Sequence, residues 1–174
     1  MPGRTITYGG AVSLDGFLAG MDGSLDWLHF SRDAQAAMRD FWKGVDTILV
    51  GRKTYAVAAA EGGGKPWNSM RTYVFSRTLQ QVGDGAELVA ADAVAFVRDL
   101  KQRPGGAICL MGGGELAQSL IAAGLVDRVG LNIHPILLGA GIPVFRDPGH
   151  RVKMKLTECR EIDGGCILAN YAIV

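Results

Sequence analysis

Residues 107–124 read AICLMGGGELAQSLIAAG, and the reading of this stretch decides the fold. Five apolar residues, Ala107 to Met111, suit a fully buried strand. Three glycines follow, and at Glu115 the pattern changes to apolar residues at helical spacing, ended by Gly124 as a left-handed cap. Strand, glycine turn and helix in that order form a seat for an anion. Glycines let the backbone approach a phosphate closely, and the first turn of a helix presents unpaired N–H groups.

Working outward, strands and helices alternate. RTITYGGAV (4–12) reads as the first strand and SLDGFLAGMDGS (13–24) as a loop. A helix is expected from about Asp33 to Trp42, with Ala34, Ala37, Met38 and Phe41 on its apolar face. DTILV suits a second buried strand, followed by a helix through Tyr55 and Ala59 and a loop EGGGKPWNS (61–69). RTYVFS and AELVA read as the third and fourth strands. Asp92 is placed to cap a helix carrying Val94, Phe96, Val97 and Leu100, and RPGG breaks it before the fifth strand, AICLM. RVGLNI is a sixth strand, HPILLGAGIPVF a loop, and the tail an antiparallel hairpin around Asp163-Gly164-Gly165. The pattern predicts one α/β domain over residues 1–174, in which a mostly parallel mixed sheet is covered on both faces and finished by an antiparallel edge.

Composition narrows the function. A formal charge of +1 with no basic cluster argues against a nucleic-acid binder. No apolar run reaches membrane-spanning length and the chain opens on strand-like residues, so a cytoplasmic protein is expected. Cys109, Cys159 and Cys166 are widely spaced, and two lie in strand-like runs where a free thiol acts as a small hydrophobe. His29, His134 and His150 are scattered, so no metal site is expected.

The glycine turn satisfies G-x-G-x-x-A at Gly112-Gly113-Gly114-Glu115-Leu116-Ala117. An ordinary dinucleotide fold would put it after the first strand, with an acidic residue about 20 positions on. Here it follows the fifth strand, and that distance falls near His134 and Pro135. A P-loop fails as well, because Gly64-Lys65 is followed by Pro66 and position 59 is Ala59. Two further turns share the expected ligand edge: Gly51-Arg52-Lys53-Thr54 after the second strand and Ser76-Arg77 after the third. Three basic residues and a hydroxyl beside a glycine turn describe a site for several phosphates. Arginine suits an added 2′-phosphate, which favours NADP over NAD.

The stretches VSLDGFLAGMDGSLDWL, DTILVGRKTY, YVFSRTL, MGGGELAQSLIAAGLVD and LNIHPILLGAGIPVF occur in that order and cover most of the chain. Together they resemble the dihydrofolate reductase-like superfamily, in particular the C-terminal reductase domain of the bifunctional riboflavin-biosynthesis deaminase/reductase. The resemblance implies a dihydrofolate reductase-like three-layer α/β/α fold, NADPH as hydride donor and commonly a homodimer. It implies that Gly51, Arg52, Lys53, Thr54, Ser76 and Arg77 hold the adenosine-phosphate end of the cofactor. Met111, Gly112, Gly113, Gly114, Glu115 and Leu116 would hold the pyrophosphate.

The chain departs from the riboflavin enzymes toward the substrate. Gly9 stands where they usually carry lysine, Phe17 where they carry arginine or lysine, and Met111 where they keep glutamate. Loss of these charges should weaken binding of a ribose-phosphate. Folate reductases use a carboxylate early in the first helix, and the matching positions are Gln35 and nearby Asp33. For the proton donor or orienting carboxylate the candidates are Asp15, in the turn before Gly16, and then Asp26. Trp27 is read as a pocket wall or core residue, and Phe17 with Leu18 as a lid or as packing. The leading expectation is an NADPH-dependent reductase of a heterocyclic or imine substrate. Pteridine reduction of the folate type and a non-catalytic NADPH-binding module are the alternatives.

Overall fold

The structure is a computed structural model describing residues 3–60, 69–112 and 114–174; the 61–69 loop, apart from Ser69, and Gly113 lie outside the described residues. The strands are β1 (Ile6–Ser13), β2 (Phe17–Ala19), β3 (Val45–Gly51), β4 (Arg71–Phe75), β5 (Ala86–Val89), β6 (Ala107–Met111), β7 (Arg128–His134), β8 (Ile142–Pro143), β9 (Met154–Ile162) and β10 (Cys166–Ile173). The helices are α1 (Arg32–Trp42), α2 (Arg52–Ala60), α3 (Ala93–Leu100) and α4 (Glu115–Ala122).

Eight strands form one sheet in the order β5-β4-β3-β6-β1-β7-β10-β9. Pairing is parallel from β5 through β7 and antiparallel where β10 meets β7 and β9. Parallel strands need both faces covered, and β3 shows why its run DTILV lacks alternation. Leu49 joins a core of Ile6, Tyr8, Val97, Leu100, Leu110 and Leu120 on the face covered by α3 and α4. Ile48 and Val50 turn the other way and pack with Val74, Trp42 and Tyr55 under α1 and α2. The predicted hairpin forms, with Gly164 at φ 84° and Gly165 at φ 71°, values that favour glycine. Gly124, at φ 66°, closes α4 as expected.

Two local expectations need correction. The 13–24 and 134–145 segments are not simply loops: Phe17–Ala19 pairs antiparallel with Ile142–Pro143. Elements this short carry no periodic signal, and the partner supplies the hydrogen bonds. In α1, Met38 and Phe41 are 43% and 36% exposed. The helix meets the molecule mainly through Ala34, against Ile162 and Cys166, and through Trp42, so its predicted apolar face points partly outward. Among the described residues no helix is long and apolar enough to cross a membrane.

Candidate functional site

Parallel pairing brings the carboxyl ends of β3, β4 and β6 into one line. Gly51 is the register partner of Phe75, and Val50 of Met111. The turns beginning at Arg52, Ser76 and Gly112 therefore open side by side. Residues far apart in the sequence, such as Val50 and Met111, meet here. A Cβ on Gly112, which has φ +87°, would lie 2.0 Å from Thr54 Oγ1, so this turn is seated directly on the start of α2. Gly114 has φ +90° and begins α4 with no side-chain cap. By contrast, Ser31 caps α1 through the Ala34 N–H and Asp92 caps α3 through the Ala95 N–H. An uncapped first turn keeps N–H groups for an anion.

Charge pairing at the amino end of the sheet is partial: Arg71 and Arg128, which begin β4 and β7, are exposed and have no ion-pair partner among the described residues. At the amino end, nearly buried Arg4 pairs with Asp46 and also donates to Thr47 Oγ1 at 2.7 Å, while Lys101 meets Asp127 at 2.6 Å. At the carboxyl end, Arg52, Lys53 and Arg77 are exposed and have no ion-pair partner among the described residues. Ser76 is occupied structurally: its hydroxyl oxygen accepts the Thr78 and Leu79 N–H groups at 3.1 and 3.0 Å, which shapes the turn presenting Arg77. Glu115 is exposed, Leu116 is half-buried, and Met111 packs under α1 and α2 against the Ile48 and Val50 cluster. Sequence reasoning missed Arg146, whose Nε lies 3.6 Å from a Cβ built on Gly114. It reaches the glycine turn from a segment after β8, anchored where Gln118 donates to the Asp147 carbonyl.

The predicted substrate-side residues lie at the ends of β1 and β7. Asp15 is fully engaged. Its Oδ1 accepts from the Ser13 hydroxyl at 2.6 Å and the Leu138 N–H at 3.2 Å, and its Oδ2 accepts from the Gly139 N–H at 2.8 Å. The Ser13 bond, the largest influence, together with the Gly139 and Leu138 amides holds the carboxyl below its ordinary value against the opposing effect of desolvation. A carboxylate bound this way is an acceptor near neutral pH and a poor proton donor. It latches the β1–β2 turn to the segment before β8, where Leu14 N–H also meets the Ile136 carbonyl at 2.9 Å. Phe17 sits in the β2–β8 pair, close against Gly141, and Leu18 packs on the main core. Asp26 is exposed and makes no hydrogen bond or ion pair with a described residue. Asp33 and Gln35 are exposed on α1.

Trp27 packs edge-to-face on His134, with ring centroids 5.3 Å apart and planes at 90°. His134 is 3% exposed at the end of β7. Its Nδ1 accepts a long 3.5 Å bond from the His29 N–H. Burial, reinforced by His29, pulls the imidazole below its ordinary value, so it is neutral near pH 7 with the proton on Nε2. The clue available in the sequence was period-two polarity: Asn132 and His134 alternate with Leu131 and Ile133, which face the core.

The geometry also explains one departure in the sequence. Gly9 has φ +147°, and a Cβ there would lie 1.8 Å from the Gly130 carbonyl oxygen of the adjoining strand. Lysine cannot occupy that position on this backbone.

Comparison with known proteins agrees with this layout. Residues 4–168 match the family model of the RibD C-terminal domain. The chain is 34% identical over 179 residues to the uncharacterized protein YyaP of Bacillus subtilis (strain 168), covering 97% of this chain and 94% of that one. It also resembles the solved structure of a diaminohydroxyphosphoribosylaminopyrimidine deaminase/5-amino-6-(5-phosphoribosylamino)uracil reductase from Thermotoga maritima. That match has TM-score 0.74 and 17% identity, and covers 99% of this chain and 57% of that one. Dihydrofolate reductase from Enterococcus faecalis, solved with NADP(H), aligns at TM-score 0.71 and 16% identity over 97% and 96% of the two chains. At these identities the two structures show a shared fold.

Proposed function

The chain belongs to the RibD C-terminal domain family, and from that premise we propose that it is an NADPH-dependent reductase of a small heterocyclic or imine substrate. The nearest precedent is 5-amino-6-(5-phosphoribosylamino)uracil reductase. The observation that carries the proposal is the make-up of the sheet's carboxyl end. Exposed cations with no ion-pair partner among the described residues stand there beside an uncapped helix and a glycine turn.

In this reading Arg52, Lys53, Thr54 and Arg77 hold the adenosine-phosphate end, with Gly51 and Ser76 shaping the turns that present them. Gly112, Gly113, Gly114, Glu115 and Leu116 hold the pyrophosphate, with Met111 packing beneath. Bound there, NADPH would supply a hydride. The chain supplies binding, orientation and exclusion of water. Asp15 acts as an orienting carboxylate, fixing the β1–β2 turn and Phe17, and exposed Asp26 is the remaining candidate for proton supply. A homodimer and a cytoplasmic location belong to the same proposal; sedimentation of the purified chain in the analytical ultracentrifuge checks the dimer.

NADPH oxidation with pyrimidine and pteridine substrates tests the chemistry, and binding without oxidation of any of them would leave a non-catalytic module. The cofactor assignment has its own test. Arg77→Ala should weaken NADPH about tenfold, in keeping with loss of one charge-assisted contact at an exposed site, and NADH little. Equal weakening of both would show that Arg77 does not read the 2′-phosphate.

A further inference from the structure

The sheet is open where an interior strand should be most covered. β1 has a neighbour on each side, yet Gly9 and Ala11 are only half-buried. The adjoining β7 is half-buried from Gly130 through Ile133, although it too is interior. In register, Gly9 meets Gly130, Ala11 meets Asn132 and Ser13 meets His134. Gly9, Ala11, Ser13, Gly130, Asn132 and His134 point to the face opposite the α3–α4 core, because strand side chains alternate. The result is a strip with little side chain at Gly9, Gly130 and Ala11, and polar groups at its far end.

Three buried side-chain atoms have no hydrogen-bond partner among the described residues: Trp27 Nε1, Asn132 Oδ1 and His134 Nε2. Native folds leave few such atoms unpaired, and these share one neighbourhood. Trp27 and His134 are in ring contact, and Asn132 lies two residues before His134, about 7 Å along the strand. Their chemistry is defined. An indole N–H only donates. The Nδ1 of His134 accepts from His29, which leaves Nε2–H as a donor. A carboxamide offers an acceptor beside a donor, and none of the three carries a formal charge.

We propose that Trp27, Asn132 and His134 are specificity-determining residues that read the lactam edge, an adjacent ring N–H and C=O, of a flat heterocycle lying on the β1–β7 strip. Asn132 takes the ring N–H, and Trp27 and His134 donate to the carbonyl. The assignment rests on the reductase reading for its place beside the cofactor turns. It concerns different residues, so the two can fail separately.

The test uses the full chain, with 6-aminouracil and 6-amino-1,3-dimethyluracil as probes; the second lacks every ring N–H. Wild type should bind the first more tightly. The indole N–H resonance that disappears in Trp27→Phe should move when 6-aminouracil is added. Trp27→Phe keeps an aromatic ring against His134 and removes the N–H donor together with the pyrrole half of the indole; it and Asn132→Ala should each weaken 6-aminouracil about five- to tenfold. NADPH affinity should stay unchanged in both variants, which also reports that they are folded. The proposal is overturned if wild type binds both uracils equally, binds neither, or matches the variants. Loss of NADPH binding in wild type, with the uracil effects intact, would instead sink the cofactor assignment and leave this one standing.

Discussion

One end of one sheet carries two candidate sites of opposite character. The β3–β4–β6 end has glycine turns and exposed cations with no ion-pair partner among the described residues. The β1–β7 end has buried, uncharged polar atoms under an aromatic ring, with its carboxylate at Asp15 already committed to three donors. The difference matches what each can bind. Free cations attract phosphates over a distance and can be read loosely. Neutral donors and acceptors in a sheltered strip act only at contact and are selective by shape.

The sharpest way to break this comparison is to force charge into the neutral end. Gly9→Lys restores the residue usual in riboflavin reductases, yet its Cβ would run into the Gly130 carbonyl oxygen. We expect the variant not to fold, or to melt far below wild type in thermal denaturation. A variant that melts normally would show that β1 accommodates lysine and that the neutral character is incidental. Gly112→Ala comes next, because its Cβ would meet the Thr54 hydroxyl and its φ disfavours a side chain. Strain of about 1–3 kcal/mol is expected, with a lower melting temperature and weaker NADPH binding. Thr54→Gly in the same chain should recover part of the melting temperature, since it removes the steric clash and leaves the backbone strain, while NADPH binding stays weak because the Thr54 hydroxyl is lost. No recovery would mean that the two turns are not seated on each other.

The smallest effect concerns Asp15. Its folded-state carboxyl titrates below its unfolded value, so the latch adds stability above about pH 4 and loses it as pH falls through the folded value. The stability difference between wild type and Asp15→Asn, followed by denaturant unfolding, should be constant from neutral pH to about pH 5 and shrink below pH 4. A difference that persisted undiminished at the acid end would show that the hydrogen bonds survive protonation and that charge contributes nothing.

The β3–β4–β6 end was legible in the sequence because its signals are local. A strand, a glycine and a basic or hydroxyl residue follow one another within a few positions, and parallel pairing aligns the three turns whatever the loops do. The buried runs of β3 and β6 and the caps at Asp92 and Gly124 were readable for the same reason. Arg146 was not, since its segment reaches Gly114 only after β8 pairs with β2. Asp15 showed itself as a turn residue, but its partners Leu138 and Gly139 lie more than 120 positions away, and they decide that it is an acceptor.

By itself, then, the sequence determined the α/β alternation, the mixed sheet with its antiparallel edge and the glycine and basic turns after β3, β4 and β6, because hydrophobic period and glycine placement act over a few residues. Tertiary structure alone decided that β1 is only half-covered at its centre, that Gly9 excludes a side chain, and that Trp27 meets His134. Those facts depend on which strand lies beside which, and long-range pairing sets that order.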